Sequence, residues 1–419
     1  MKVEMVKAKE QDEAAIGRIR EIAGKSGLDV AGGSVLRTSS RFCLGVEHGD
    51  YNGTELFGIG TDRFIWLADK PNGTGRVRLY SDNFPDDGVV EFEYGSVPEP
   101  RTVADSWGRF AFGVEYILRK EGYKLGRGFD AVLYGNIPGG GMSRSASLAL
   151  NLILTMLEVN GIEIEDGFKI VDLAVAVENE YIGSPCGQLD QIMILFAKEG
   201  MGTHYNPKER KISYVKLGEG AEDFCVVGLD TGTKRPGLEK STYKVRRGEC
   251  EELVRLAQGA GIGIQCLADV RDEATYNKIM GKFEANYVKL CKRLTYIYKA
   301  QKRFYEMLEA WKRGDIRGVG EIFRLDGLGL RDEYEISGPE LESMCDITRT
   351  VDGVLGERML GGGDKGASGA LVLAGAVEQL RAAVGRAYPL SHPEYADKYA
   401  VHVCKSVTGV GKIEVSSKR

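Results

Sequence analysis

The sequence predicts a mixed α+β protein folded as two lobes, on three observations. Its 419 residues exceed what one hydrophobic core comfortably serves, so two or three domains are expected. Strand-like and helix-like segments alternate without the regular βα rhythm of a barrel. A polar, interrupted tract from Lys208 to Gly220 marks the expected boundary, giving segments 1–215 and 216–419.

The elements follow from pattern and punctuation. Residues 4–25 carry isoleucines at 16, 19 and 22 on one side and read as an amphipathic helix. Strand-like runs follow at 56–67, 76–80 and 89–94, separated by Asn-Gly and Asp-Asp-Gly turns. A helix is expected over 102–121, a strand near 129–134, then a Gly/Ser loop and an apolar helix over 148–159. A helix over 168–181 leads into GSPCGQLDQIMILF. Beyond the boundary, 224–230 is a short apolar strand and helices dominate 241–311. Residues 372–387 read as a strand followed by a helix.

Composition narrows the function classes. With 43% hydrophobic and 28% charged residues the chain reads as soluble and globular. A net charge of −5 argues against nucleic acid as a main partner. No apolar run approaches the roughly 20 residues that cross a bilayer, so no membrane partner is expected. The charged N-terminal stretch lacks a signal peptide's apolar region. Eight cysteines without a CxxC pair suit reduced thiols, hence a cytoplasmic location. Of four histidines, His204, His392 and His402 have no ligand-like neighbours in sequence, which argues against a tightly bound transition metal.

Four clusters carry chemistry. Pro138 to Leu148, PGGGMSRSASL, can bring backbone N–H groups close to an anion at the start of a helix; alone, it is equally an ordinary capped turn. Arg41 to Gly53 packs a base, two acids and a histidine into a short span. Carboxylates and imidazole there suit sugar hydroxyls, or form an exposed charged loop. Glu178 and Asp190 flank a Pro-Cys-Gly turn. One could hold Mg²⁺ and the other orient or deprotonate a hydroxyl; as surface acids they would do neither. Leu360 to Gly369, LGGGDKGASG, fits GxGxxG but sits late in the chain and runs into a β-like stretch. That excludes a dinucleotide fingerprint and leaves close backbone approach to a ligand. Without GxxxxGK[ST], a P-loop NTPase fold is excluded.

In this order the clusters resemble the GHMP small-molecule kinases, most closely the galactokinase branch. Arg41 to Gly53 is similar to GRxNxxGEHxDYxxG, and 138–147 to PxGxGLSSSA. Glu178 to Gln191 resembles the branch's helix-borne acid followed by PCGxxDQ. Tyr243 to Cys250 resembles YNxRRxxC, and 360–369 the third glycine-rich motif. The resemblance implies a ribosomal-S5-domain-2-like N-terminal lobe, a ferredoxin-like C-terminal lobe, and an active site between them. It implies transfer of phosphate from ATP to the anomeric hydroxyl of a hexose, with galactose favoured. ATP phosphates would lie on Gly139, Gly140, Gly141, Ser143, Arg144, Ser145, Ala146 and Ser147, with Trp107 near adenine. Glu178 and Ser145, or else Ser143, would hold Mg²⁺. Asp190 would be base or orienter beside Arg41. Glu47, His48, Asp50 and Tyr243 would bind the sugar, with Gly362 and Gly363 giving backbone contacts. Monomer and dimer both remain open.

The chain also departs from the pattern. Ser39-Ser40 replaces Pro-Gly, Cys43 replaces asparagine, and Asp364-Lys365 replaces an apolar residue. Arg144 sits inside the usual serine triplet, where it could clamp a phosphate or fill the anion site. That keeps a non-catalytic sugar-binding relative as an alternative, against which intact Arg41, Glu178 and Asp190 speak. Some features are similar to galacturonate kinases. A uronate facing Glu47 would need a compensating cation, such as Lys234 or Arg235.

Overall fold

The computed structural model describes residues 3–103, 105–234 and 241–414. In chain order the N-terminal part holds β1 (Met5–Lys7), α1 (Glu10–Ser26), β2 (Ser34–Gly45), β3 (Leu56–Pro71), β4 (Arg76–Ser81), β5 (Val89–Glu93) and α2 (Gly108–Lys120). It continues with β6 (Phe129–Gly135), α3 (Arg144–Val159), α4 (Gly167–Ala176), α5 (Leu189–Leu195), β7 (Met201–Asn206) and β8 (Lys211–Lys216). The remainder holds β9 (Phe224–Asp230), α6 (Thr242–Gly259), α7 (Glu273–Phe283), α8 (Val288–Arg313), α9 (Ile316–Asp332), α10 (Pro339–Arg349) and β10 (Val354–Met359). It ends with β11 (Ala367–Leu373), α11 (Val377–Ser391), β12 (Ala400–Cys404) and β13 (Val410–Glu414).

Among the described residues, nine strands form one sheet in the order β1-β13-β2-β3-β6-β4-β5, with β7 on β3 and β8 on β7. Four more form an antiparallel sheet, β10-β11-β9-β12. The chain's last strand, β13, returns to pair with β2 in the first sheet. One continuous core runs from α2, α3 and the inner face of the first sheet to α8 and α9. Helices α10 and α11 cover the second sheet with Met344, Leu380, Val384 and Tyr388.

Sequence patterning accounts for the layers. The apolar run of α3 goes nearly all round the helix, which is the signature of burial on every side, and Ala146 through Leu157 are buried. Its one amide in that run, Asn151, is satisfied by donating to Thr38 Oγ1 at 3.1 Å and the Ile65 carbonyl at 3.2 Å. The isoleucine stripe of α1 packs on the other face of the sheet, against Phe64, Trp66 and Val132. There Asp12 pairs with the buried Arg37 and accepts from Trp66 Nε1 at 2.8 Å.

Several expectations need correction. Residues 5–7 are a strand, so the first helix begins at Glu10. The helix expected from 102 begins at Gly108. Residues 34–45, where no strand is expected above, form one of the longest strands. Two of its buried hydroxyls are paired, Thr38 Oγ1 donating to the Ser147 carbonyl at 3.0 Å and Ser40 Oγ to the Met142 carbonyl at 2.6 Å, while Ser39 Oγ is buried without a hydrogen-bond partner among the described residues. Within the tract 208–220, Lys211–Lys216 form β8, paired with β7, which leaves the expected division at about residue 216 in place as an expectation. No helix of the described residues is long and apolar enough to cross a membrane.

Candidate active site

A cavity of about 480 Å³ opens where β2, the 138–145 loop, the start of α5 and the 360–366 loop converge. Strand β2 delivers Arg41, whose side chain is only 1% exposed. Its Nε and Nη2 each lie 2.8 Å from Asp190 Oδ1, and Nη1 donates to the Gly141 carbonyl at 2.8 Å. The planar guanidinium makes this three-way tie possible. Burial opposes the Arg41 charge, but Asp190 and Glu47 outweigh it and hold the group above its ordinary value. Asp190, in the first turn of α5, is 34% exposed and faces the cavity. It is the reachable member of the pair.

Helix α4 continues into one π-helical turn, Val177–Ile182, that carries Glu178 onto the cavity wall. Its Oε1 accepts from Gln191 Nε2 at 3.0 Å, so α5 sets both acids. Asp50 joins them by close approach: its Oδ2 accepts from the Leu189 N–H at 3.1 Å. A Cβ on Gly187 would lie 1.9 Å from that oxygen, so only glycine fits the Pro-Cys-Gly turn. Burial pushes the Asp50 carboxyl up, and the Leu189 N–H pulls it back. His48 Nδ1 lies 2.9 Å from Tyr51 Oη, and its ring centroid is 5.2 Å from that of Tyr243.

Glu47 is buried on the cavity wall beside Arg358, a cation that sequence reasoning missed. Glu47 Oε2 lies 3.2 Å from Arg358 Nη2. Burial pushes the Glu47 carboxyl up, against Arg358 and Arg41. The Arg358 guanidinium, opposed by its own burial, is raised by Glu47. An ionised pair is the direction physics favours, since either charge alone would be stranded in the interior. Lys234, proposed as a compensating cation, is exposed; Arg235 lies outside the described residues.

The two glycine-rich loops meet backbone to backbone: a Cβ on Gly140 would stand 2.6 Å from Gly366 Cα. Gly139, Gly140, Gly141, Ser143, Arg144 and Ser145 line the cavity. Ala146 and Ser147 do not, because both are buried in α3 and the Ser147 hydroxyl is bonded to Thr38. Gly362 lines the cavity together with Gly361, whereas Gly363 packs against the Ile336 carbonyl. Arg144 lies 5.2 Å over the Phe84 ring, and no carboxylate of the described residues forms a salt bridge with it. Burial lowers its pKa, and Asp230 partly offsets this. The odd Asp364 has a local reason too: it accepts from the Thr242 N–H at 2.7 Å and caps α6, which carries Tyr243.

Trp107 also reaches the wall, in a recess with Asn83, Phe84 and Phe110. Asp87 Oδ2 accepts from the Trp107 N–H at 3.1 Å and from Ser106 Oγ at 2.7 Å. Residues 81–87 read only as a turn in sequence. Outside the cavity, His204 does have an acidic neighbour: its Nε2 is 2.6 Å from Glu55 Oε2, which sequence distance had hidden.

Residues 110–198 match the family model for the GHMP kinases N terminal domain. The chain is 30% identical over 364 residues to galactokinase of Bacillus subtilis (strain 168), covering 85% of this chain and 89% of that one. It is 31% identical over 349 residues to galactokinase of Lacticaseibacillus casei (strain BL23), covering 82% and 86%. Lactococcus lactis galactokinase, solved with galactose, superposes with a TM-score of 0.85 at 27% identity, over 96% of this chain and 100% of that one. Methanococcus jannaschii mevalonate kinase shares the fold, with a TM-score of 0.58 at 15% identity. The chain belongs to the galactokinase family of the GHMP kinases.

Proposed function

We propose that this sugar kinase transfers the γ-phosphoryl group of ATP to the anomeric hydroxyl of galactose, giving galactose 1-phosphate and ADP. The observation that carries the reading is the Arg41–Asp190 pair, fixed against the Gly141 carbonyl of the phosphate-loop candidate. It puts a reachable carboxylate, a buried cation and an anion-accepting loop in one cavity. Phosphoryl transfer asks the protein for little more than such positioning and charge stabilisation.

In this reading the sugar lies among Glu47, His48, Asp50 and Tyr243, with Gly362 supplying backbone. Asp190 orients the 1-hydroxyl and takes its proton as the oxygen attacks phosphorus; the β–γ bridging bond breaks and ADP departs. Arg41 neutralises charge at the reacting groups. The loop N–H groups at the start of α3 and the Arg144 guanidinium hold the phosphates. Trp107 and its recess receive the adenine.

The residues fit a Mg²⁺ ion, which prefers one or two carboxylates plus phosphate oxygens. Glu178 offers a hard oxygen on the wall, and Ser143 Oγ is buried without a hydrogen-bond partner among the described residues. Ser145 or Ser143 would complete the protein's share; the ion would neutralise phosphate charge. We place the lobe division near residue 216 and the protein in the cytoplasm. ADP release assayed over hexoses, amino sugars and uronic acids tests the reading. Turnover with galactose supports it; sugar binding without turnover on any sugar refutes it.

A further inference from the structure

Arg358 belongs to none of the motifs that point to catalysis, yet its charge stands directly behind the sugar end of the cavity. It lies on β10 with its side chain wholly buried, and the guanidinium is 4.4 Å over the Phe323 ring. Nη2 donates to the Cys43 carbonyl at 2.7 Å and pairs with Glu47. Nε and Nη1 have no hydrogen-bond partner among the described residues. The other nearby acid, Asp326, is already held by Arg303 Nε at 2.7 Å. Among the described residues Glu47 is therefore the carboxylate in direct contact with this cation, and it, unlike Asp326, lines the cavity.

We propose that Arg358 is a specificity-determining residue, the stored counter-charge that decides whether the sugar end of the cleft accepts a neutral or an anionic sugar. This rests on the reading of that end as the sugar site. With Glu47 in place the couple is neutral overall, and the Glu47 carboxylate, its side chain 3% exposed, stands on the cavity wall, whereas Arg358 lies off the wall behind it. An uncharged hexose can donate hydroxyls to those oxygens. A uronic acid brings a second carboxylate against the first in a partly dry site, where Arg358 is already engaged by Glu47.

Removing the carboxylate reverses the arrangement. A shortened side chain at 47 leaves a hole against a buried guanidinium with unpaired N–H groups, which is costly. A carboxylate from outside restores the pair and a neutral molecule of the same size does not. The site then receives anions, with uronic acids as the substrate class. Steric relief alone would not discriminate between the two.

The test is Glu47→Ala, its melting temperature measured at fixed ionic strength with sodium formate or with neutral formamide. Formate alone should raise it, and the galacturonate-to-galactose ratio of kcat/KM should rise by at least about tenfold over the unmodified protein. Both gains should vanish in Glu47→Ala/Arg358→Met. Glu47→Gln, which keeps the volume and is the variant most certain to fold, should lose stability and show no formate response. Equal effects of formate and formamide on Glu47→Ala, a formate response in Glu47→Gln, or gains that persist without Arg358 would overturn the assignment. The formate response is read on the protein alone, so absent galactose turnover in the unmodified enzyme would count against the sugar-kinase reading and not against Arg358.

Discussion

Replacing Arg41 by lysine keeps the charge and removes the fork. In the structure three nitrogens are in use: Nε and Nη2 on Asp190 Oδ1 and Nη1 on the Gly141 carbonyl, each at 2.8 Å. A single ammonium on a flexible stem cannot hold both partners from the same Cα position. At least one charge-assisted hydrogen bond is lost, about 1.5–3 kcal/mol. If that bond fixes Asp190 relative to the phosphate loop, the loss falls on the transition state. A loss of 1.36 kcal/mol is tenfold in rate, so kcat should fall roughly 10- to 100-fold. The assay is ADP release at saturating ATP and galactose, with thermal unfolding run alongside. A well-folded Arg41→Lys enzyme with kcat within about twofold of the unmodified one would refute the reasoning. So would a loss confined to the KM for galactose.

Other substitutions separate the remaining roles. Asp190→Asn should abolish turnover while galactose affinity, followed by calorimetry, stays within a few-fold; undiminished turnover would remove Asp190 from the mechanism. Arg144→Ser should raise the KM for ATP by about tenfold, the worth of one charge-assisted contact to phosphate, and leave the KM for galactose alone; an unchanged ATP KM would show that its guanidinium does not meet the nucleotide. Asp69 gives a pH prediction away from the site. Burial, with Glu158 adding, pushes its carboxyl up to about 7, above its unfolded value near 4. Because the folded value is the higher, its cost is absent below about pH 4 and grows as pH rises through about 7. Asp69→Asn should therefore stabilise the protein by roughly 1–3 kcal/mol at pH 8 and by nothing at pH 4, read from melting temperatures at the two values.

What was legible in the sequence was whatever repeats locally. The α3 run is continuously apolar and the isoleucine stripe of α1 periodic, and both became helices, though α1 begins at Glu10 rather than at residue 4 and α3 at Arg144 rather than at residue 148. The residues proposed for the chemistry sit in compact motifs, so Arg41, Asp50, Glu178 and Asp190 could be singled out before they were seen together. What stayed hidden depends on partners far along the chain. No strand is expected at β2 from local pattern, and its buried Thr38 and Ser40 hydroxyls find their acceptors in the Ser147 and Met142 carbonyls, far along the chain. Ser147 looked like loop and is core, since its hydroxyl belongs to Thr38. Arg358 stands 311 positions beyond Glu47. Its only local signal was a charged Glu357-Arg358 step inside a buried run ahead of the third glycine-rich motif.

The central claim is that the cavity transfers phosphate to the anomeric oxygen of galactose, and ³¹P NMR of the protein with MgATP and galactose tests it directly. The account predicts a new sugar-phosphate resonance, split by the anomeric proton and growing in step with ADP. A phosphate signal coupled instead to the C6 protons, or ATP left intact while galactose is bound, would contradict it.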